Sequence, residues 1–160
     1  MYLYIVLLHV IGAFVFALSH GVSVAVAFAV RGAGRERVAT LLELSQMAVG
    51  GLYVGLVLLL VGGVWAGFAG GHWGRGWIWA ALAILVAILV AMYAIATPYY
   101  ATLRVASEAT GIVPAQRERA GDVGPDDLPR LTASARPFAL AAIGGIGLLV
   151  ILWLMVVKPF

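Results

Sequence analysis

Residues 2–30 read YLYIVLLHVIGAFVFALSHGVSVAVAFAV, and this stretch decides the fold class. It is apolar almost throughout and exceeds the roughly 20 residues that an α-helix needs to cross a bilayer. It lacks the basic start of a secretory signal peptide and is about twice as long as the apolar region of one. The stretch therefore predicts a retained transmembrane helix.

Two histidines lie within this predicted helix. His9 and His20 are eleven positions apart, which places them within about 20° of the same helix face and ~16 Å apart along the axis. Ser19 and Ser23 accompany His20. Polar side chains in a membrane helix usually face protein or a water-filled cavity, because lipid cannot hydrogen-bond them. We expect the histidine face to pack against other helices.

The whole composition agrees with a membrane protein. Of the 160 residues, 64% are hydrophobic and 11% are charged, whereas about a quarter of the residues in a soluble domain are charged. There is no cysteine, which excludes thiolate nucleophiles, disulfides, and zinc or iron–sulfur sites held by cysteine. We interpret the chain as one integral membrane domain, residues 1–160.

Four apolar stretches define its organisation. They span about 2–30, 38–68, 77–108 and 127–157, with a polar connection at about 109–126. The fourth is expected to begin near Asp127, with Pro129 in its first turn and a kink at Pro137. The predicted fold is all-α, a four-transmembrane-helix bundle.

The arginines predict the orientation. Eight of the ten Lys and Arg residues lie in or beside the first and third connections: Arg31, Arg35, Arg37, Arg104, Arg117, Arg119, Arg130 and Arg136. Positive charge favours the cytoplasmic side, so both connections are predicted to be cytoplasmic and both termini to lie outside. All five tryptophans then fall at the outer interface, which is typical of an aromatic belt. The predicted location is the plasma (inner) membrane.

Glycines mark the helix-packing faces. The second stretch contains Gly51-x-x-x-Gly55 and Gly63-x-x-x-Gly67, and the fourth contains Ala141-x-x-x-Gly145. Small residues at this spacing let helix backbones approach closely in a membrane. They serve either the internal bundle, which we favour, or contact with other membrane subunits or a second copy.

One polar cluster is a candidate functional site. In this topology the side chains of His20, Ser23, Glu43, Gln46 and Thr97 all lie in the inner half of the bundle. Pro98 leaves the carbonyl of Ala94 without its helical donor. The group is either a pocket that handles protons or a ligand, or a set of interhelical hydrogen bonds with Glu43 at the interface. We favour the second interpretation.

His9 and His20 are also candidate cofactor ligands. Imidazole and thioether together suit haem or copper, and Met155 is the partner within reach of His9 at the outer side. Met47 and Met92 are the corresponding partners for His20. No histidine occurs in the last three apolar stretches, which argues against a bis-histidine haem within one chain and leaves His–Met, five-coordinate or intersubunit ligation. Haem b, copper and no cofactor at all remain open.

Several segments resemble a known family of bacterial membrane proteins. They are LHVIGA at 8–13, SHGVS at 19–23, LLELS at 41–45, GRGWIW at 74–79 and LMVVKP at 154–159. Together they resemble the domain of unknown function 2269 family, whose function is undefined. The start is more distantly similar to copper-resistance D proteins and HemJ-type protoporphyrinogen oxidases, and the latter similarity implies that His9 is a haem ligand. That family also uses a lysine near the start of the second helix, where this chain has Arg37 and Glu43, and this departure counts against oxidase activity.

The sequence leaves three functions open. We favour a non-enzymatic accessory or structural subunit of a larger membrane assembly, such as one that transfers electrons. The alternative is a small haem- or copper-binding redox protein that uses His9 or His20. A transporter of protons or small solutes through the inner polar cluster is the third. No hydrolase or nucleotide-binding motif is present.

Overall fold

The computed structural model describes all residues 1–160, and its regular elements are helices. The six α-helices are α1 (Tyr2–Ala29), α2 (Arg35–Ala69), α3 (Gly76–Ala106), α4 (Pro114–Ala120), α5 (Leu128–Thr132) and α6 (Arg136–Val157). Short 3₁₀ turns at His72–Gly74 and Pro125–Asp127 connect them. Four of the helices, α1, α2, α3 and α6, are long and apolar enough to cross a membrane. The predicted all-α class is confirmed, and four helices that could span a membrane are present as predicted.

The start of the fourth spanning helix differs from the prediction. We expected it near Asp127, but α6 begins at Arg136, and the separate helix α5 precedes it. Pro137 therefore lies in the first turn of α6 and produces no kink, because a helix start has no need of the amide hydrogen that proline lacks. Pro98 does lie inside a helix, within the continuous α3.

α1 and α2 form an antiparallel pair with their backbones in close approach. A Cβ added at Gly55 would lie 2.5 Å from the backbone nitrogen of Phe16, and one at Gly62 would lie 2.7 Å from that of His9. Gly12 meets the backbone of α2 at Leu58 and Leu59 in the same way. The glycine pattern of the second stretch thus packs mainly within the chain, as predicted.

α3 and α6 form the second pair. Leu154 of α6 packs on Trp77, Ile78 and Ala81 of α3, and Gly147 makes room for the side chain of Ile88. At the end of the pair, the Trp77 amide donates to the carbonyl of Phe160 over 3.3 Å. α6 also reaches α1, where Gly144 faces the His20 ring.

The largest apolar core lies at one end of the bundle, where both pairs meet. We call this the arginine end, because it contains the α1–α2 loop and residues 107–135 and carries the eight arginines of the first and third connections. Its buried residues come from five of the six helices: Val26, Ala27, Val30, Val38, Leu42, Tyr99, Leu103, Ala106, Leu128, Leu131 and Leu140. We call the opposite end the tryptophan end. The short helix α5 therefore caps the core between the ends of the spanning helices.

Candidate functional site

His9 is held by the backbone of α2. Its ring is half-buried and its Nδ1 lies 2.7 Å from the carbonyl oxygen of Leu59. Since a carbonyl oxygen can only accept, Nδ1 carries the hydrogen. In the neutral ring Nε2 then bears the lone pair and is free to bind a metal. Gly63 makes room for the ring, because a Cβ there would lie 2.8 Å from Nδ1.

His20 lies deeper in the bundle. Its side chain is 8% exposed and Nε2 faces Gly144 of α6 without a hydrogen-bond partner. Beside it, the buried Ser19 places its hydroxyl against Gly51 of α2. The His20 ring thus fills the space between α1 and α6. Its unpaired buried nitrogen costs about 1–3 kcal/mol of stability.

The hydrogen bonds of the structure do not join His20 to the other members of the predicted polar cluster. The carbonyl of Ser23 accepts from the Tyr100 hydroxyl over 2.6 Å. Glu43 is exposed and accepts from the Thr110 hydroxyl over 2.8 Å. Gln46 is exposed and Thr97 is half-buried. These bonds tie the helices to one another and to the segment after α3, so the single pocket stays a prediction.

The sequence interpretation missed the network that holds this segment. Arg104 at the end of α3 is 4% exposed and donates from Nη2 to the carbonyl of Thr110, while its Nε and Nη1 have no partner. Thr110 in turn binds Glu43, and Glu108 pairs with Arg35 over 2.6 Å. The sequence signal was present: an arginine after a long apolar run, followed within seven residues by Gly111, where φ is +66°.

The methionine ligands that the sequence suggested lie in separate surroundings. Met155 packs with the α3–α6 cluster and Met92 lies beside the core of the arginine end, whereas Met47 is 78% exposed. His72 accepts or donates a hydrogen bond of 3.2 Å with the Tyr2 hydroxyl. Nowhere do three His, Asp or Glu side chains converge into a metal-binding group. Of the candidate ligands, His9 alone combines a fixed orientation with a free lone pair.

Two surface cavities lie away from both histidines of α1. One, of about 400 Å³, lies at the arginine end beside Glu108 and Arg117. The other, of about 460 Å³, is a shallow apolar groove on the outward face of α2, lined by Leu60, Val61, Val64, Trp65 and Phe68. This outward face of α2 was not singled out from the sequence.

The outward face has a regular pattern. Seven of its exposed residues lie along one line of the helix, at the alternating spacings of three and four by which residues share a helix face: Met47, Gly50, Val54, Val57, Val61, Val64 and Phe68. We call this set the outer seam of α2. At 1.5 Å per residue it is about 32 Å long, which matches the roughly 30 Å thickness of the hydrocarbon core.

Comparison with known proteins finds no matching family model, no matching curated protein and no matching solved structure.

Proposed function

We propose that this chain is a non-enzymatic accessory subunit that packs beside a larger partner in the membrane. The observation that carries the proposal is the outer seam of α2, which is about as long as the roughly 30 Å hydrocarbon core is thick and which no other helix of the chain covers. Apolar residues that alternate at spacings of three and four form the seam along which two helices pack. The seam is apolar along its length and no other helix of the chain covers it, so it is available to a partner helix.

The exposed area of the seam supports the same proposal. Its apolar side chains are between 42% and 78% exposed, and the most apolar window of α2 has 11% of its residues buried within the chain, less than in the other spanning helices. Gly50, within the seam, has no heavy atom within 4 Å of an added Cβ. A partner helix fits there with its backbone close to that of α2.

The shape of the outward face of α2 gives a second argument for a partner helix. The apolar groove beside Trp65 and Phe68 lies on the tryptophan-end half of the seam. Ridges of one helix pack into the grooves of another. The proposed partner is therefore a transmembrane helix of another subunit, seated along the seam.

We propose the plasma membrane as the location, with the arginine end in the cytoplasm. The proposal rests on the positive-inside rule, since eight of the ten basic residues lie at the arginine end. Membership of the domain of unknown function 2269 family is likewise a proposal, and it rests on the five quoted segments.

Site-specific photo-crosslinking in the native membrane tests the accessory role. A benzophenone amino acid at Val57, in the seam, is expected to give a discrete adduct with a membrane protein of different mass. The matched control is Val90 of α3, which is 64% exposed and lies outside the seam. A product of twice the mass of the chain would show self-association instead, and lipid adducts alone at both positions would overturn the proposal.

The second candidate function is a redox protein with one haem b or copper, and the geometry of His9 favours it. Ligating histidines usually donate their other ring N–H to a carbonyl or carboxylate, as His9 does to Leu59. The residues fit a site with one imidazole ligand. Such a group supplies one-electron chemistry when bound, and the chain would hold and orient it through the Nε2 of His9.

An absorption spectrum with metal analysis of the mildly solubilised protein tests the redox candidate. A stoichiometric Soret band or copper content that His9→Ala abolishes, and that His72→Ala leaves intact, would support it. A colourless, metal-free protein that co-purifies with other membrane subunits would overturn it and agree with the accessory role.

A further inference from the structure

Two arginines at the arginine end lie together without an acidic partner. Arg31 follows α1, and Arg136 is the first residue of α6. The guanidinium of Arg31 bonds the carbonyl of Ser134, two residues before Arg136, so the two arginines belong to adjoining segments of the arginine end. The two ion pairs of the structure, Arg35–Glu108 and Arg130–Asp127, involve neither arginine. Neither arginine therefore has an acidic partner.

The side chain of Arg31 is held in place. Its Nη1 donates to the carbonyl of Ser134 over 2.7 Å, and its guanidinium carbon lies 5.1 Å from the centre of the Phe138 ring. A guanidinium group has five N–H donors, so most of the donors of Arg31 remain free. Because the arginine is already ordered, an anion that binds there loses less free energy to side-chain ordering.

An apolar surface lies directly beside the cations. The Phe138 ring is 57% exposed and packs edge-on against Phe28 of α1, with ring centres 5.0 Å apart. Both rings belong to spanning helices, next to the ends at which the helices leave the apolar layer. A lipid headgroup lies at this level and its acyl chains extend along such a surface, whereas free phosphate gains nothing from it.

We propose that Arg31 and Arg136 bind the phosphate of an anionic phospholipid, whose acyl chains lie against Phe28 and Phe138. Basic pockets between membrane helices are typical sites for anionic headgroups. This lipid site requires only that the chain is inserted in a membrane, and it is separate from the outer seam of α2.

Native mass spectrometry of the detergent-solubilised protein tests the site, with phosphatidylglycerol, phosphatidylcholine or inorganic phosphate added. A basic residue near an anionic surface contributes enough to change affinity by about fivefold, so Arg136→Gln is expected to weaken phosphatidylglycerol binding by about fivefold and the Arg31→Gln/Arg136→Gln double variant by about thirtyfold. Arg136 makes no hydrogen bond or ion pair in the structure, so its variant keeps the fold. The matched control is Arg37→Gln, an exposed arginine at the same end, which should leave binding unchanged.

Equal binding of phosphatidylcholine would overturn the proposed charge recognition. Equal binding of inorganic phosphate, unaffected by the lipid, would replace the phospholipid with a soluble anion. Arg37→Gln could instead lower the affinity as much as Arg136→Gln does. That result would show general attraction of the lipid by the basic surface and would overturn the proposed site. Circular dichroism of each variant confirms that the helical content is retained.

Discussion

The contact between His20 and Gly144 shows how one residue sets the distance between two membrane helices. Any Cβ at position 144 would collide with the His20 ring, while a Cβ at the neighbouring Gly145 would meet nothing within 4 Å. Glycine is therefore required at 144 by packing and is optional at 145. The face of α6 that looks toward α1 is defined by this difference.

Gly144→Ala is predicted to lower the free energy of unfolding by about 1–3 kcal/mol, because the ring and the two helices must move apart. Gly145→Ala should be neutral or stabilise the helix by up to about 1 kcal/mol. Unfolding in mixed micelles with increasing dodecyl sulfate, followed by circular dichroism, measures both. Equal stability of the two variants would show that the packing of α6 does not depend on the contact between Gly144 and the His20 ring.

Asp127 predicts a pH dependence in the segment before α5. A hydrogen bond from Arg130, together with one from the Gly124 amide, lowers the pKa of its carboxyl group. A carboxylate whose pKa is lower in the folded chain stabilises the fold above its unfolded pKa, and this contribution is lost as the pH falls through the folded pKa. The Gly124 turn should therefore open at acid pH.

Two measurements by nuclear magnetic resonance check this prediction. The carboxyl carbon of Asp127 should titrate at a higher pH in Arg130→Gln than in the natural chain, and protection of the Gly124 amide from exchange should decrease in that variant. Arg119→Gln, an exposed arginine that bonds Tyr93 instead, serves as the control. An unchanged Asp127 titration in Arg130→Gln would contradict the assigned cause.

At the scale of the element, the end of α3 combines strain with a buried charge. Glu108 adopts a φ of +55°, a conformation that costs a non-glycine residue roughly 1–2 kcal/mol. It is held there by bonds to α2, through the Arg35–Glu108 pair and the Thr110–Glu43 bond. The buried Arg104 lies beneath this turn with two nitrogen atoms unpaired.

Arg104→Met is predicted to leave the free energy of unfolding unchanged or to raise it by about 1–3 kcal/mol. A buried cation without an anion is costly, and apolar residues of similar volume often replace buried charges without loss. Arg104→Ala, which leaves a cavity, should be less stable than Arg104→Met. Dodecyl sulfate unfolding measures both variants. Loss of more than about 1 kcal/mol in Arg104→Met would show that the guanidinium group is better paired than the single bond to Thr110.

The spanning helices were predictable from the sequence because each is a long apolar run with few charges. The start of the fourth was not, since Leu128 and Leu131 continue the apolar pattern across a break at residues 133–135. Those two leucines are buried in the core of the arginine end, so their apolar character reflects a cap over that core and not a membrane span.

The contacts between helices were predictable only in part. The glycine spacing predicted the α1–α2 packing, but His20 bonds to none of the polar residues near it in the expected topology. Helix rotation decides such contacts, and periodicity alone does not fix it.

At the scale of the whole molecule, two antiparallel pairs share one large core at the arginine end. The basic residues and the largest core lie together there, while the tryptophans and the smaller α3–α6 cluster lie at the other end. This asymmetry predicts an orientation, because cytoplasmic loops of membrane proteins carry an excess of arginine and lysine. The arginine end should face the cytoplasm and both termini the outside.

The absence of cysteine makes this orientation directly measurable by labelling. Single cysteines at Gly74, in the turn of the tryptophan end, and at Ala115 of α4 occupy exposed positions at opposite ends; an added Cβ at Gly74 meets nothing within 4 Å. An impermeant maleimide should label Gly74→Cys in intact cells and Ala115→Cys only after the membrane is opened. The reverse pattern would place the arginine end outside and remove the support that the positive-inside rule provides. Labelling of both positions in intact cells would contradict the four-span topology itself, because a single spanning helix, α3, lies between them and must place them on opposite sides of the membrane.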